Sequence, residues 1–274
     1  MQKLKNALEY LNKIKSVIAR SEKVFLFLDY DGTLTEIKNK PEYAKPSKKL
    51  TGLINTINSS KFIISIISGR QLKDLKKILY NINLTKINLI GSHGAEIKFA
   101  GENNIIYQYD NNLLRDNDII KNLKKKILKF AAKIENSMIE EKPFSFAFHY
   151  RNSPIKEKTK INELIDYLRE QEKIYKFRYL EMKKVIEVMP AGINKGSVIS
   201  KILKKYNESS RKIKNAFTIC IGDDVSDEDL FTANRTGINI KVSKQPNLTK
   251  TAATYYLKSP REVLSFLEKI AFEK

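Results

Sequence analysis

The segment that most constrains this chain is Val24-Phe25-Leu26-Phe27-Leu28-Asp29-Tyr30-Asp31-Gly32-Thr33-Leu34. Its run of apolar residues from Val24 to Leu28 has no polar face. It therefore predicts a short strand covered on both sides, as in a parallel sheet flanked by helices. Asp31-Gly32 then breaks the strand into a turn. Asp29 and Asp31 are delivered together to the carboxyl edge of a sheet, where open α/β folds keep their active sites. Two carboxylates this close repel unless a cation or a phosphate-handling task occupies them. A D-x-D-G segment alone is common in solvated turns. Its position behind a hydrophobic strand gives it weight.

Three later segments add chemistry in a consistent order. Phe62 to Ser68 is a second apolar run, turning at Gly69-Arg70 and ending on the Ser68 hydroxyl. Asn194-Lys195-Gly196 precedes an amphipathic stretch from Ser197 to Tyr206, which places Lys195 near a helix start. Ala216 to Gly222 is a third buried strand, followed by a turn that holds Asp223, Asp224, Asp227 and Glu228. Read singly, each has an ordinary explanation. Ser68 is a turn-forming hydroxyl, Lys195 a surface lysine, and Asp224 and Glu228 are helix-start caps.

Taken jointly, these segments resemble the four motifs of the haloacid dehalogenase (HAD) superfamily of phosphatases. The resemblance implies an α/β, HAD-like Rossmannoid core with a parallel sheet. It makes Asp29 the nucleophile, Asp31 the acid and base, Ser68 a donor to the phosphoryl group, and Lys195 its charge neutraliser. It implies Mg²⁺ held by Asp29, the backbone carbonyl of Asp31 and Asp223, with Asp227 orienting a metal-bound water. The chemistry of these residue types suits those roles independently: phosphoryl transfer needs a nucleophile, an acid for the leaving oxygen and positive charge around the phosphoryl oxygens.

Composition bounds the alternatives. The chain has 274 residues, 42% of them hydrophobic, enough for one large core or two modest ones. Fifty-one basic against 31 acidic residues leave a net charge of +20. Nucleic acid or a membrane surface is the pointed explanation for such a charge. Lysines such as those of 121–130 instead read as the solvated faces of amphipathic helices, so neither partner is expected, and the charge is expected to draw an anionic substrate. A single cysteine, Cys220, lies in a predicted core strand and excludes an internal disulfide. The N-terminal residues lack the order of a signal peptide, and no apolar run approaches the ~20 residues needed to span a bilayer. The expectation is a soluble, cytoplasmic monomer.

The order of patterns predicts two domains. Residues 2–20 have apolar positions at helical spacing. From Val24 to Ile97 strands and helices alternate, and Glu96 to Tyr109 reads as a hairpin. A different rhythm follows: a helix over 113–134, a strand over 145–150, a helix over 155–170 and a strand pair over 177–189. The β/α rhythm then resumes, with late strands over 237–242 and 254–257. This predicts a discontinuous catalytic core, residues 1–110 and 190–274, interrupted by an inserted α+β cap of the C2 type, residues 111–189.

Substrate choice is carried by further segments. Gly91-Ser92-His93-Gly94-Ala95-Glu96, Glu140 to Ser145, Ala147-Phe148-His149-Tyr150-Arg151, Glu187 to Pro190 and Ser68-Gly69-Arg70 closely resemble the trehalose-6-phosphate phosphatases over about 24–257. The resemblance implies a sugar phosphate substrate, with Arg70 contacting it and the cap residues Lys142, His149 and Glu187 gripping the distal glucose. A lysine, a carboxylate and an imidazole together supply the donors and acceptors that sugar hydroxyls require. Two alternatives remain at this point: Lys142 and Glu187 as an ion pair within the cap, and His149 as a satisfied strand residue. Arg151 is open between holding Glu141 or the cap strands and touching substrate. Rival substrates are sucrose 6-phosphate, a mannose linked to phosphoglycerate, and small sugar phosphates. A rival of another class is a basic binding module without catalysis.

Overall fold

The computed structural model describes residues 3–38, 40–57, 61–108, 118–182, 184–209, 213–246, 248 and 250–272. The chain divides into two compact units, Met1–Ile106 with Asn194–Lys274, and Tyr107–Ile193.

The first unit begins with β1 (Lys5–Asn6), β2 (Lys23–Asp29), β3 (Phe62–Ile67), β4 (Asn88–Gly91) and β5 (Glu96–Lys98), and β6 (Ile106–Tyr107) falls at the boundary where it ends. The second contributes β7 (Met138–Glu141), β8 (Phe146–His149), β9 (Phe177–Met182) and β10 (Val185–Pro190). The chain then returns to the first unit with β11 (Ala216–Gly222), β12 (Ile238–Val242) and β13 (Tyr255–Leu257). The helices in chain order are α1 (Leu11–Arg20), α2 (Lys48–Ile57), α3 (Leu72–Ile78), α4 (Asp118–Ala131), α5 (Lys158–Ile174), α6 (Ser197–Ser209), α7 (Glu228–Ala233) and α8 (Pro260–Phe272).

The large sheet has nine strands in the order β1-β13-β12-β11-β2-β3-β4-β5-β6. Pairings from β1 through to β4 are parallel, and β5 turns antiparallel against β4. The unbroken apolar run of β2 serves two cores. Val24, Leu26 and Leu28 join a cluster with Ile14 and Ile18 of α1, Leu50 and Ile54 of α2, and Val263 and Leu267 of α8. Phe25 and Phe27, on the opposite face, pack with Val198 and Ile202 of α6 and Leu230 and Phe231 of α7. Each such side chain contributes about 1.5–3 kcal/mol when fully buried. From β2 the chain crosses to β3 on one side, and from β11 it crosses to β12 on the other. The carboxyl ends of the adjacent strands β2 and β11 therefore flank a topological switch point, where open sheets leave a crevice.

The N-terminus departs from the single helix expected over residues 2–20. Lys5–Asn6 is a strand parallel to β13, and the helix starts only at Leu11. Helical backbone at residues 5–7 would forfeit the bonds that Lys5 N–H and Ala7 N–H make to the Thr254 and Tyr256 carbonyls, at 3.2 and 3.0 Å. Sheet completion overrides local periodicity here.

The second unit is a four-stranded antiparallel sheet in the order β7-β8-β10-β9. Phe146 and Phe148 of β8 and Ile186 and Val188 of β10 share a core with Leu123 and Ile127 of α4 and Leu164 and Leu168 of α5. By strand alternation Ala147, His149 and Glu187 face the other way, and Glu140 of β7 pairs with Ala147 in the same row. β7 falls outside the strands expected from the sequence, because its two glutamates and half-exposed pattern disguise an edge strand. The helix expected over 113–134 ends at Ala131. The beginning of that helix, residue 109 of the expected hairpin and residue 183 of the strand pair lie outside the described residues. Among the described residues, no helix is long and apolar enough to cross a membrane.

Candidate active site

Asp29 is the last residue of β2 and is buried. Its Oδ1 accepts a hydrogen bond from Lys195 Nζ at 2.7 Å, and Lys195 donates equally, at 2.7 Å, to Asp227 Oδ1. Lys195 precedes α6 and is only 2% exposed, so it is not the surface lysine that its position alone suggests. Asp227 turns its other oxygen to the backbone N–H groups of Asp223 and Asp224, at 3.0 Å each, which fixes the loop after β11. That loop packs tightly. A Cβ on Gly222 would collide with the Asp227 carboxylate, and one on Gly32 with the Asp223 carboxylate. Gly32 also has φ +88°, a conformation that favours glycine.

Carboxylate oxygens of Asp29, Asp223 and Asp227 lie within 4.8 Å of one another. Asp29 Oδ2 is buried and accepts no hydrogen bond among the described residues. Among the described residues, Lys195 bridges two of these three carboxylates, Asp29 and Asp227. An all-oxygen donor set of this kind, with a buried Asp29 oxygen left over, fits a hard divalent cation. Burial above all, and then the charge of Asp227, push the Asp29 carboxyl well above the usual carboxylate range; Lys195 opposes them and Asp223 adds to them. For Lys195 burial works downward, yet Asp227 and Asp29 prevail and hold the ammonium above its ordinary value.

Asp31 stands apart from this cluster. Arg70 forks onto it, Nε to Oδ2 at 2.6 Å and Nη2 to Oδ1 at 2.5 Å, while Nη1 reaches the Pro41 carbonyl at 2.9 Å. Ser68 is buried and its Oγ accepts the Arg70 backbone N–H at 3.1 Å, the turn-forming role. Asp224 caps the turn at Val225. Glu228 accepts from Lys241 Nζ at 3.0 Å and from the Thr251 hydroxyl and the Ala252 N–H. Cys220 is a buried core residue of β11.

In the second unit, Lys142 Nζ donates to both Glu187 oxygens at 3.0 and 3.1 Å, and Ser145 Oγ donates to Glu187 Oε1 at 2.5 Å. His149 Nε2 meets Glu140 Oε2 at 2.9 Å, a bond that leads the causes holding the Glu140 carboxyl below its usual value. Glu141 pairs with Lys124 at 2.6 Å, so it is Lys124 and not Arg151 that holds it. Glu140 and Ser145 join this polar cluster although the sequence does not single them out. Recognising β7 as a strand would have exposed Glu140, because it then shares a row with Ala147 and Glu187.

A doubly covered parallel sheet, with a carboxylate–lysine centre at its switch point, defines a HAD-fold phosphatase. The family model described as trehalose-phosphatase matches residues 27–261, and the chain belongs to that family. It is 31% identical over 273 residues to probable trehalose-phosphate phosphatase E of Arabidopsis thaliana, covering 95% of this chain and 74% of that protein. It is 33% identical over 249 residues, 89% of this chain, to an alpha,alpha-trehalose-phosphate synthase of Dictyostelium discoideum, of which it spans only 30%. The C-terminal domain of a C. albicans trehalose-6-phosphate phosphatase superposes with a TM-score of 0.82 at 26% identity, with 98% of each chain covered. The family implies a divalent metal, which the Asp29–Asp223–Asp227 cluster fits.

Proposed function

We propose that this chain hydrolyses trehalose 6-phosphate to trehalose and phosphate, using Mg²⁺ and an aspartyl-phosphate intermediate, the last step of trehalose synthesis. The observation that carries the reading is the buried Asp29–Lys195–Asp227 bridge beside Asp223. Asp29 attacks phosphorus, forming an O–P bond as the P–O bond to the sugar breaks, and the leaving oxygen takes a proton from Asp31. Water then attacks the aspartyl phosphate, gives its proton to Asp31 and frees phosphate and Asp29. Ser68 donates to the phosphoryl group, and Lys195 offsets charge on both nucleophile and phosphate. Arg70 holds the acid and contacts the substrate; its fork on Asp31 supports the first of these roles. Asp29, Asp223 and the Asp31 carbonyl would hold the cation, which supplies charge neutralisation when bound, while Asp227, its oxygens taken up by Lys195 and the Asp223 and Asp224 N–H groups, stands behind them. Phosphate release from trehalose 6-phosphate, sucrose 6-phosphate, mannosyl-3-phosphoglycerate and small sugar phosphates, with and without Mg²⁺, tests the reading. Turnover of the trehalose ester should dominate and vanish in excess EDTA. Full activity in chelator, or preference for another ester, overturns it.

On this reading the discontinuous unit is the catalytic core and Tyr107–Ile193 the specificity cap. The cap residues Lys142, His149 and Glu187 bind sugar hydroxyls. The support is their gathering into one polar cluster with Glu140 and Ser145. Replacing each of the three with alanine should lower kcat/KM for the disaccharide phosphate about ten- to a hundredfold, as losing a bond to a charged group costs about 1.5–3 kcal/mol. Hydrolysis of p-nitrophenyl phosphate, which has no sugar, should change far less. Parallel loss on both substrates removes these residues from sugar recognition. The reading also takes the chain to act in the cytoplasm as a monomer, without nucleic-acid or membrane partners.

A further inference from the structure

The segment Ser92-His93-Gly94-Ala95-Glu96 has no part in the chemistry above, yet it adopts a costly conformation. Ser92 and His93 are consecutive non-glycine residues at φ +48° and +55°, a region that L residues sparsely populate. Strain of this kind persists only where surrounding bonds over-determine it, and here they converge on one neighbour. Ser92 N–H donates to the Arg70 carbonyl at 2.7 Å and His93 N–H to the Ser68 carbonyl at 3.1 Å. Glu96 Oε2 accepts the Ser92 hydroxyl at 2.7 Å and the Leu72 backbone N–H at 2.9 Å. Leu72 opens α3, whose own N-cap residue, Gln71, makes no side-chain capping bond. A carboxylate from β5 thus anchors the start of the helix that follows Arg70. The His93 ring closes the remaining side, since a Cβ on Gly69 would lie 2.6 Å from Nε2. Both His93 and Glu96 are buried.

We propose that His93 and Glu96 are positioning residues for phosphoryl transfer. They clamp the Ser68-Gly69-Arg70 turn, so that the Ser68 hydroxyl and the Arg70 fork on Asp31 are held in place before substrate arrives. The clamp is built from backbone bonds to both ends of the turn, a carboxylate that ties the strained pair to α3, and a ring packed on Gly69. The same segment abuts the approach to Lys195, since a Cβ on Gly94 would lie 2.9 Å from the Asn194 carbonyl oxygen. The inference rests on the reading of Ser68, Arg70 and Asp31 as the phosphate-side groups of a phosphatase.

The test compares wild type, Glu96→Ala, Glu96→Gln and His93→Gly for melting temperature, and for kcat and KM on trehalose 6-phosphate and p-nitrophenyl phosphate in Mg²⁺. Misplacing reacting groups by about 1 Å costs on the order of 10²-fold. Glu96→Ala should therefore lose about that factor in kcat on both substrates, with KM little changed. Glu96→Gln should stay close to wild type, because an amide oxygen accepts the same two bonds. His93→Gly removes the ring but suits the positive φ, so it should keep or raise the melting temperature while kcat falls about tenfold or more. Should Glu96→Ala fail to fold, His93→Gly decides alone. An active wild type with full kcat in His93→Gly overturns the clamp. Equal losses in Glu96→Ala and Glu96→Gln that follow the melting temperature reduce Glu96 to a structural group and overturn it as well. A wild type inert to both substrates overturns the phosphatase reading itself.

Discussion

Asp29→Asn is expected to fold, to lose turnover, and to be more heat-stable than wild type in the presence of chelator. On the proposed mechanism the variant loses its nucleophile and with it the two-step route, and such losses run on the order of 10⁴- to 10⁶-fold in kcat. The stability gain has a separate origin. Burial and the charges of Asp227 and Asp223 outweigh Lys195, so the metal-free fold disfavours ionised Asp29. Its folded-state pKa is raised, so stability is present at and below the ordinary carboxylate value and is lost as pH climbs through the raised one. Asparagine does not titrate, and the gap between the two proteins should widen over that window. Asp227 still holds Lys195 in the variant. Added Mg²⁺ should stabilise wild type by mass action and the variant much less. Thermal unfolding across acidic to neutral pH, with EDTA or Mg²⁺, checks both parts. A folded and active Asp29→Asn protein would sink the assignment of the nucleophile.

Lys195→Met should be nearly as damaging, and for the opposite electrostatic reason. The lysine donates to two buried carboxylates at 2.7 Å each. Removing one partner of a buried ion pair leaves uncompensated charge and typically costs about 3–5 kcal/mol. On the proposed mechanism, loss of a preorganised charge beside the phosphoryl group should lower kcat by about 10²–10³-fold as well. Because the Lys195 pKa is raised, its contribution is fully present below the ordinary lysine value and is lost as pH climbs from there through the raised one. The destabilisation from this residue should therefore be flat across the neutral range. Denaturant unfolding at several neutral pH values, with matched kinetics, tests this. Unchanged stability and turnover would show that the bridge does not matter.

These residues differ in how far the chain's pattern announces them. Asp29 is announced by the strand before it, because five apolar residues in a row have few other uses and the turn must follow. Lys195 is not: nothing in Asn194-Lys195-Gly196 says that its side chain turns inward to two carboxylates, one of them 166 positions away. The Arg70 fork on Asp31 is equally silent, since it depends on how the turns after β2 and β3 lie beside each other. Short elements were lost for a physical reason. Lys5–Asn6 is a strand only because β13 presents an edge to it, and β7 is polar because it is itself an edge. Periodicity reports a segment's own faces and says nothing of a neighbour's unmet hydrogen bonds.

The pairing of β2 with β11 has a consequence for how this architecture tolerates change. Every residue of the second unit lies within the loop that the Asp29–Lys195 contact closes. The entropy of closing a loop grows only with the logarithm of its length, about 0.6 kcal/mol for each doubling. A shorter, longer or different insertion therefore imposes little thermodynamic penalty on assembly of the aspartate–lysine centre. On the proposed roles of the two units, reaction chemistry and substrate choice would lie on stretches of chain that can vary separately, so a change of sugar would not require rebuilding the means of breaking the phosphate ester.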